Sequence, residues 1–259
     1  MLSAKTTVSV VTITGKERAR KEDVVVREAP VTIHLNDAEL VTLLCTPTHL
    51  HELSLGFLFA EGLITSAADV TGYAASKADG LVWVEACPRR EVKNSFLKRR
   101  ISSCCGRGSA SFYFVNDREI KPVSSGRPIP ARTVMALRGE AESRGSLFAA
   151  TGGAHGAALG DQHGLQCFFE DVGRHNAVDK VAGWCLLQGV HPHDGVLLLS
   201  GRVSAEIVVK TARLGIPVIV SRSAPTDLAL RLAEELNITV VGFARGSRMN
   251  VYTGAERIT

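Results

Sequence analysis

Between residues 195 and 247 short apolar runs alternate with amphipathic segments of helical period, and no other feature of the chain limits its possible folds so strongly. GVLLLSG is the first run, followed by VSAEIVVKTARLG, a helix closed by Gly215. IPVIVSRS is the second run, PTDLALRLAEELN a second helix and ITVVGFARG the third run. Connections this short demand parallel strands, right-handed crossovers and a sheet covered by helices. Upstream, GLQCFFEDVG reads as a further strand and RHNAVDKVAGWCLLQG as the helix that leads into the series. The C-terminal half is therefore predicted to be an α/β unit with a largely parallel sheet.

Ligands of open α/β sheets collect at the carboxyl ends of the strands. Those ends read Ser200-Gly201-Arg202, Ser221-Arg222-Ser223 and Phe243-Ala244-Arg245-Gly246-Ser247-Arg248, so every one supplies an arginine. A guanidinium forks onto phosphate, serine hydroxyls and backbone N–H groups add donors, and glycine permits close approach; the rim suits an anion such as a pyrophosphate. Two further turns belong with it. TGGAHGAAL sets His155 after a Gly-Gly turn, and EDVGRHNAVDK gathers Glu170, Asp171, Arg174, His175, Asn176, Asp179 and Lys180 where a strand passes into a helix. The free N–H groups of that helix start could hold a phosphate or a heterocycle, or Asn176 or Asp171 could simply cap it. Residue type alone leaves His155 and His175 open between touching a ligand and bonding the backbone.

The first half has a different pattern. VSVVTIT, DVVVREAP, VTIHLN and ELVTLLC are rich in β-branched residues and broken by charged or Pro-containing turns, which predicts strands. In THLHELSLGFLFAEGLI the residues Leu50, Leu53, Phe57, Leu58 and Leu63 lie near helical spacing, with Gly62 as the end signal. Strands around GLVWVEAC and SASFYFV follow. The polar, proline-containing stretch 116–132 is the predicted boundary, dividing a mainly β N-terminal domain, 1–125, from an α/β domain, 126–259.

RRISSCCGRGS places Cys104 and Cys105 side by side among Lys98, Arg99, Arg100 and Arg107. Such cations favour thiolate over thiol and prepare a nucleophile. A disulfide within the pair is a poor resting state, because neighbouring Cα atoms about 3.8 Å apart fall below the usual bridged range of about 4.4–6.8 Å. Only one of the two is expected to react, and an inert pair at a strand edge suits the composition equally well. The chain has six cysteines in all; Cys45, Cys87, Cys167 and Cys185 lack the spacing of a secreted disulfide framework, and most are expected to be core thiols.

With 45% hydrophobic and 22% charged residues the 259-residue chain has an ordinary globular composition. No eighteen apolar residues run together, and MLSAKTTVSVVTITGKERAR has no apolar core of a signal peptide, so a cytoplasmic protein with no membrane partner is expected. A net charge of +4 is too small an excess to demand nucleic acid, and none is expected as a partner. Zinc deamination needs H-x-E and C-x-x-C. His155 is followed by Gly156 and Ala157, and no C-x-x-C occurs, so neither deamination nor stoichiometric zinc is expected. A Cys–His–Asp hydrolase matches poorly a cationic loop with no histidine near it.

HELSLGFLFAEGLI, SSCCGRGS, TGGAHGAAL, EDVGRHNAVDK, SGRVSAEIVVKTARLGIPVIVSRSAPTDLA and GFARGSRMNVYT, in this order, resemble the FdhD/NarQ family of formate dehydrogenase accessory sulfurtransferases. The resemblance covers most of the chain. It implies an enzyme that accepts sulfur from a cysteine desulfurase as a cysteine persulfide and delivers it to the molybdenum cofactor, as bis-molybdopterin guanine dinucleotide, before that cofactor enters formate dehydrogenase. It also implies a cytidine-deaminase-like fold in the C-terminal domain, used without zinc, and a homodimer. Cys104 falls on the family's persulfide carrier, and Phe243, Ala244, Arg245, Gly246, Ser247 and Arg248 fall on its cofactor-binding segment. The rim of Arg202 and Arg222, with His155 and His175, then has the cofactor's pyrophosphates and guanines as its ligand. One departure stands out: the family loop reads S-S-C-G-x-C-G, whereas this chain has Cys105 in place of glycine and Arg107 in place of the second cysteine. A cofactor-binding chaperone without catalysis is the rival function.

Overall fold

The computed structural model describes residues 3–87, 120–124 and 126–259. Cys104, Cys105, Arg107 and the strand expected at SASFYFV lie outside these residues. Strands β1 (Lys5–Thr14) and β2 (Glu17–Val26) form an antiparallel ribbon from Lys5 opposite Val26 to Thr14 opposite Glu17. Its tight turn begins at Gly15, whose φ of 62° is the left-handed geometry that matches strand twist in short hairpins. The ribbon extends the expected VSVVTIT and DVVVREAP runs through the charged ERARKE.

A four-stranded sheet follows, ordered β4-β3-β6-β5, from β3 (Ala29–Leu35), β4 (Ala38–Cys45), β5 (Val70–Ser76) and β6 (Leu81–Ala86). Alternate residues Val31, Ile33, Leu35, Val41, Leu43, Val82 and Val84 face one side, as the two-residue period of a strand requires, and bury against Leu50, Leu53 and Phe57 of α1 (Leu50–Ala60). Helix α1 is the helix expected after Thr46-Pro47.

The second sheet has the order β12-β11-β10-β9-β7-β8. Its centre is the predicted parallel set: β9 (Val196–Leu199), β10 (Val218–Ser221) and β11 (Thr239–Arg245), joined by helices labelled α5 (Ala205–Leu214) and α6 (Asp227–Glu235). Antiparallel strands flank it. The hairpin β7 (His155–Asp161) and β8 (Gly164–Asp171) adds at β9, and β12 (Arg248–Thr253) adds at β11. Of these three only β8 was expected. Helices α2 (Ala131–Ser143) and α3 (Ser146–Thr151) also had no expectation.

Both faces of this sheet are covered. Leu197, Leu199, Ile219 and Val240 pack on α4 (Arg174–Gln188), α5 and α6 through Val178, Val181, Ile207, Val208 and Ala229. Val196, Leu198, Val218, Val220 and Val241 turn the other way, onto Val134 and Leu137 of α2. The two sheets meet through α1 and α4, whose backbones touch. A Cβ built on Gly56 would fall inside the Asp179 carbonyl, and one on Gly183 inside the Glu52 carbonyl, so only glycine permits this crossing. The stretch expected as a boundary is pinned to the C-terminal half: the Val123 N–H donates to Leu236 O at 2.9 Å and the Ile129 N–H to Arg257 O at 2.8 Å.

Candidate functional site

The parallel strands β9, β10 and β11 all end at one edge of the second sheet. Strand β7 runs against β9 with Ala157 opposite Leu199, so its first residue, His155, comes to that same edge. Asp171, the last residue of β8, lies opposite His155, and α4 begins there with Arg174 and His175. The topology thus gathers His155, Arg174, His175, Ser200, Arg202, Arg222 and Arg245 along one rim.

His155 Nδ1 lies 3.3 Å from Ser200 Oγ, which also accepts the Gly156 N–H at 3.0 Å. Burial, then Arg174, His175 and Arg202, hold this imidazole below its ordinary value, and Asp171 offsets them only in part. His155 is therefore neutral at neutral pH and serves as a hydrogen-bonding group, not as a charge. Gly201 lets the loop lie on it: a Cβ there would meet His155 Nδ1 and the Arg174 side chain at 3.3 Å. Arg174 Nε is buried with no hydrogen-bond partner among the described residues. A buried donor left so costs about 1–3 kcal/mol, and an anionic oxygen arriving beside it would remove that cost.

His175 stands against a compensated charge set. Its Nδ1 is 3.2 Å from Glu206 Oε1, ion-pair distance, although the N–H is not aligned as a hydrogen bond. Glu206 is 3.5 Å from Lys210, and Lys210 Nζ donates to both Asp179 oxygens at 2.7 and 2.8 Å. His175 and Asp179 sit one turn apart on α4, Glu206 and Lys210 one turn apart on α5. Burial alone would raise the Glu206 carboxyl, but Lys210 and then His175 outweigh it and hold it down to about 2. Burial would likewise lower Lys210, yet the two carboxylates keep it above its ordinary value.

The rest of EDVGRHNAVDK is structural. Asp171 and Lys180, both fully buried, pair at 2.7 Å. Asp171 also accepts the Thr46 N–H at 3.1 Å, the Gly173 N–H at 2.8 Å and Asn176 Nδ2 at 3.0 Å, while Lys180 reaches Thr46 O at 3.3 Å. Glu170 accepts the Leu147 and Phe148 N–H groups at the start of α3, at 2.8 and 2.7 Å.

The arginines are not equivalent. Arg222 Nη1 is 2.9 Å from Glu142 on α2, so its charge is already paired. Arg245 Nε donates to Arg222 O at 3.0 Å, and its guanidinium carbon lies 6.0 Å from the centre of the Phe243 ring. Phe243 has φ 51°, uncommon for a bulky residue, and its N–H donates to Ser223 O at 3.1 Å. Ala244 is fully buried and points into the core; Gly246 and Ser247 form the turn to Arg248 and β12. The segment is thus the end of β11 and a hairpin turn, not a loop beyond the strand. Arg202 is exposed.

Cys45, Cys167 and Cys185 are buried, and burial pushes each thiol up to about 12, which makes them the inert core thiols expected. Cys87 is exposed. Among the described residues no three His, Cys, Asp or Glu side chains converge as a metal site, and no helix is long and apolar enough to cross a membrane. Sequence reasoning passed over Glu206 and Lys210; their signal is two charges at one-turn spacing inside the otherwise apolar AEIVVKTARL.

The FdhD/NarQ family model matches residues 26–259. The chain belongs to the FdhD/NarQ family. Its relatives include the sulfur carrier protein FdhD of Bacillus pumilus, 44% identical over 241 residues and 92% of each chain. The sulfur carrier protein FdhD of Bacillus subtilis is 42% identical over 244 residues, 93% of each chain. A crystal structure from Desulfotalea psychrophila, described as a formate dehydrogenase accessory protein, superposes with a TM-score of 0.85 at 30% identity, covering 99% of this chain and all of that one. The FdhD/NarQ match begins at the last residue of β2, so nearly the whole ribbon precedes it.

Proposed function

We propose that this FdhD/NarQ member is a sulfur carrier and sulfurtransferase in the maturation of formate dehydrogenase, acting in the cytoplasm as a homodimer. Cys104 thiolate attacks the outer sulfur of a cysteine desulfurase persulfide; the S–S bond there breaks, the desulfurase leaves as its thiolate, and Cys104 keeps the sulfur as a persulfide. The acceptor is the molybdenum of bis-molybdopterin guanine dinucleotide, bound as substrate at the rim. The observation that carries this reading is the gathering of Arg174, Arg202 and Arg245 with neutral His155 at one sheet edge, in a chain whose relatives are named sulfur carriers.

The fit is chemical. Pyrophosphates need several cationic donors, and the buried Nε of Arg174 lacks an acceptor among the described residues. His155, uncharged, can bond a guanine edge without repelling the arginines beside it. Phe243, 38% exposed, offers a ring face to a base.

Arg107, standing where the family loop has its second cysteine, favours a second reading: a chaperone that binds the cofactor and passes it on without carrying sulfur. Incubation with a cysteine desulfurase and cysteine, followed by mass spectrometry, separates the two. The Cys104 peptide should gain one sulfur, about 32 Da, as a reducible persulfide. No gain would leave the chaperone.

A further inference from the structure

Every nitrogen of Arg174, Arg202 and Arg245 is a donor, so these side chains can serve phosphate oxygens but cannot accept from the N–H groups of a base or the hydroxyls of a ribose. His175, in the first turn of α4, can. Its Nδ1 is buried 3.2 Å from Glu206 Oε1, and the 13% of the side chain that stays exposed belongs to its other atoms. Glu206 is ionised: Lys210 stands 3.5 Å away, and the first turn of α5 favours a negative charge there. An ionised oxygen facing a bare ring nitrogen at 3.2 Å would set lone pair against lone pair, so Nδ1 carries the proton. Glu206 is itself held in place. Lys210 Nζ donates to both Asp179 oxygens, with Lys210 5% and Asp179 2% exposed, and Glu61, beyond the end of α1, adds a further negative influence on the ammonium. Asp179 alone would neutralise Lys210; the carboxylate in excess is the one beside His175.

We propose that Glu206 is a positioning residue of the rim: it fixes His175 in the tautomer protonated on Nδ1, so that Nε2 accepts a hydrogen bond from the nucleoside part of a bound guanine nucleotide. Asp179 and Lys210 keep Glu206 at that station. The arginines then take the phosphates and His175 takes a donor they cannot take, which gives the rim a means of telling a nucleotide from a bare polyphosphate. This rests on the reading of the rim as a nucleotide site, and the tautomer is measured without any ligand.

Nitrogen NMR on chains with labelled histidine, at about pH 8, above the ordinary imidazole value of about 6.5, reads the proton directly. His175, assigned by its loss in His175→Phe, should carry it on Nδ1 in the wild type. In Glu206→Gln, whose amide can donate as well as accept, it should pass in part to Nε2. A wild type protonated on Nε2, or a variant with unchanged tautomer, overturns the proposal. Calorimetry at the same pH compares guanosine diphosphate with pyrophosphate. Removing a negative charge beside a cationic rim should by charge alone tighten every polyanion. Positioning gives the opposite sign for the nucleotide: Glu206→Gln should weaken guanosine diphosphate about three- to tenfold, the worth of one hydrogen bond, and leave pyrophosphate unchanged or tighter. Equal loss for both ligands, or tighter nucleotide binding, overturns it. The same loss with adenosine diphosphate would place the donor on the ribose, and a loss confined to the guanine nucleotide would place it on the base. A wild type that binds neither ligand would overturn the nucleotide rim itself and the ligand half of the proposal with it. Should Glu206→Gln fail to fold, His175→Phe, which keeps a ring and removes both nitrogens, decides: the nucleotide alone should weaken, and an unaltered nucleotide affinity overturns the proposal.

Discussion

Arg245 and Arg222 follow adjacent strands, yet the structure gives them different work, and guanosine diphosphate as a partial mimic of the cofactor tells them apart. Among the described residues Arg245 spends only Nε, on Arg222 O, which leaves its two terminal nitrogens for a ligand. One charge-assisted bond to phosphate contributes about 1.5–3 kcal/mol, and about 1.4 kcal/mol is tenfold in affinity. Arg245 is exposed and screened by salt, so the lower end applies, and Arg245→Ala should weaken binding about 10-fold at physiological ionic strength. Arg222 already gives Nη1 to Glu142, and a fork onto phosphate that uses this nitrogen means leaving the carboxylate. With side chains 47% and 52% exposed that pair is worth about 1 kcal/mol at most; deducted in full from about 1.5 kcal/mol it leaves about 0.5 kcal/mol, and on that footing Arg222→Ala should cost about two- to threefold. Alanine keeps the carbonyl that anchors Arg245. Calorimetry at fixed salt on both variants, with circular dichroism to confirm folding, measures the ratio. Equal losses, or a larger one in Arg222→Ala, would refute the argument that Glu142 has already claimed that guanidinium.

Gly183→Ala forces a methyl into the Glu52 carbonyl and should lower the urea midpoint by about 3 kcal/mol of stability with an unchanged slope. Lys180→Met leaves the buried Asp171 carboxylate without its cation and should cost about 3–5 kcal/mol in the same titration. Glu206, held down to about 2 against an ordinary 4.5, stabilises the fold above pH 4.5 and loses that contribution as pH falls toward 2. Thermal melts should therefore show Glu206→Gln weaker than wild type at pH 6 and level with it near pH 2; a constant gap would contradict the pairing. Cys104→Ala should abolish formate dehydrogenase activity in cells while Cys105→Ala keeps most of it, and equal loss would remove Cys104 as single carrier.

The three parallel strands were legible because each apolar run is bounded by a helix that buries one stripe, as Ile207, Val208 and Leu214 do in α5. Strand β7 was not: between its ends HGAALGD has glycine and alanine apart from Leu159, and it is a strand because β8 and β9 supply its hydrogen bonds. Helix α2 buries only Val134 and Leu137, too thin a stripe to stand out. That gap propagated into the site. Strand-end chemistry found Arg222, but Glu142, its partner, belongs to the helix that went unread. His155 was found by its glycine turn, while its place beside Ser200 needed the antiparallel register of β7.

Helix α4 shows why the polar EDVGRHNAVDK is not one site. A helix whose residues Asn176–Gly183 are all buried has no solvent face on which to leave charge, so each polar group must be matched. Asn176 donates to Leu44 O at 2.8 Å and Lys180 to Thr46 O, which fastens the end of β4 to α4. Asp179 takes Lys210 from α5, and Gly183 takes the backbone of α1. Only Arg174 and His175, in the first turn, are left for the rim. The first sheet is thereby held to the helix that carries rim residues by hydrogen bonds that join Asn176, Lys180 and the Lys180-paired Asp171 to Leu44 and Thr46, and by a backbone contact, not by a hinge. Strand β6, which leads toward the segment bearing Cys104, belongs to that sheet. Swinging one sheet against the other would break the hydrogen bonds that Asp171 and Lys180 make with Thr46 and separate Gly56 from Gly183, so the rim keeps a fixed relation to the first sheet.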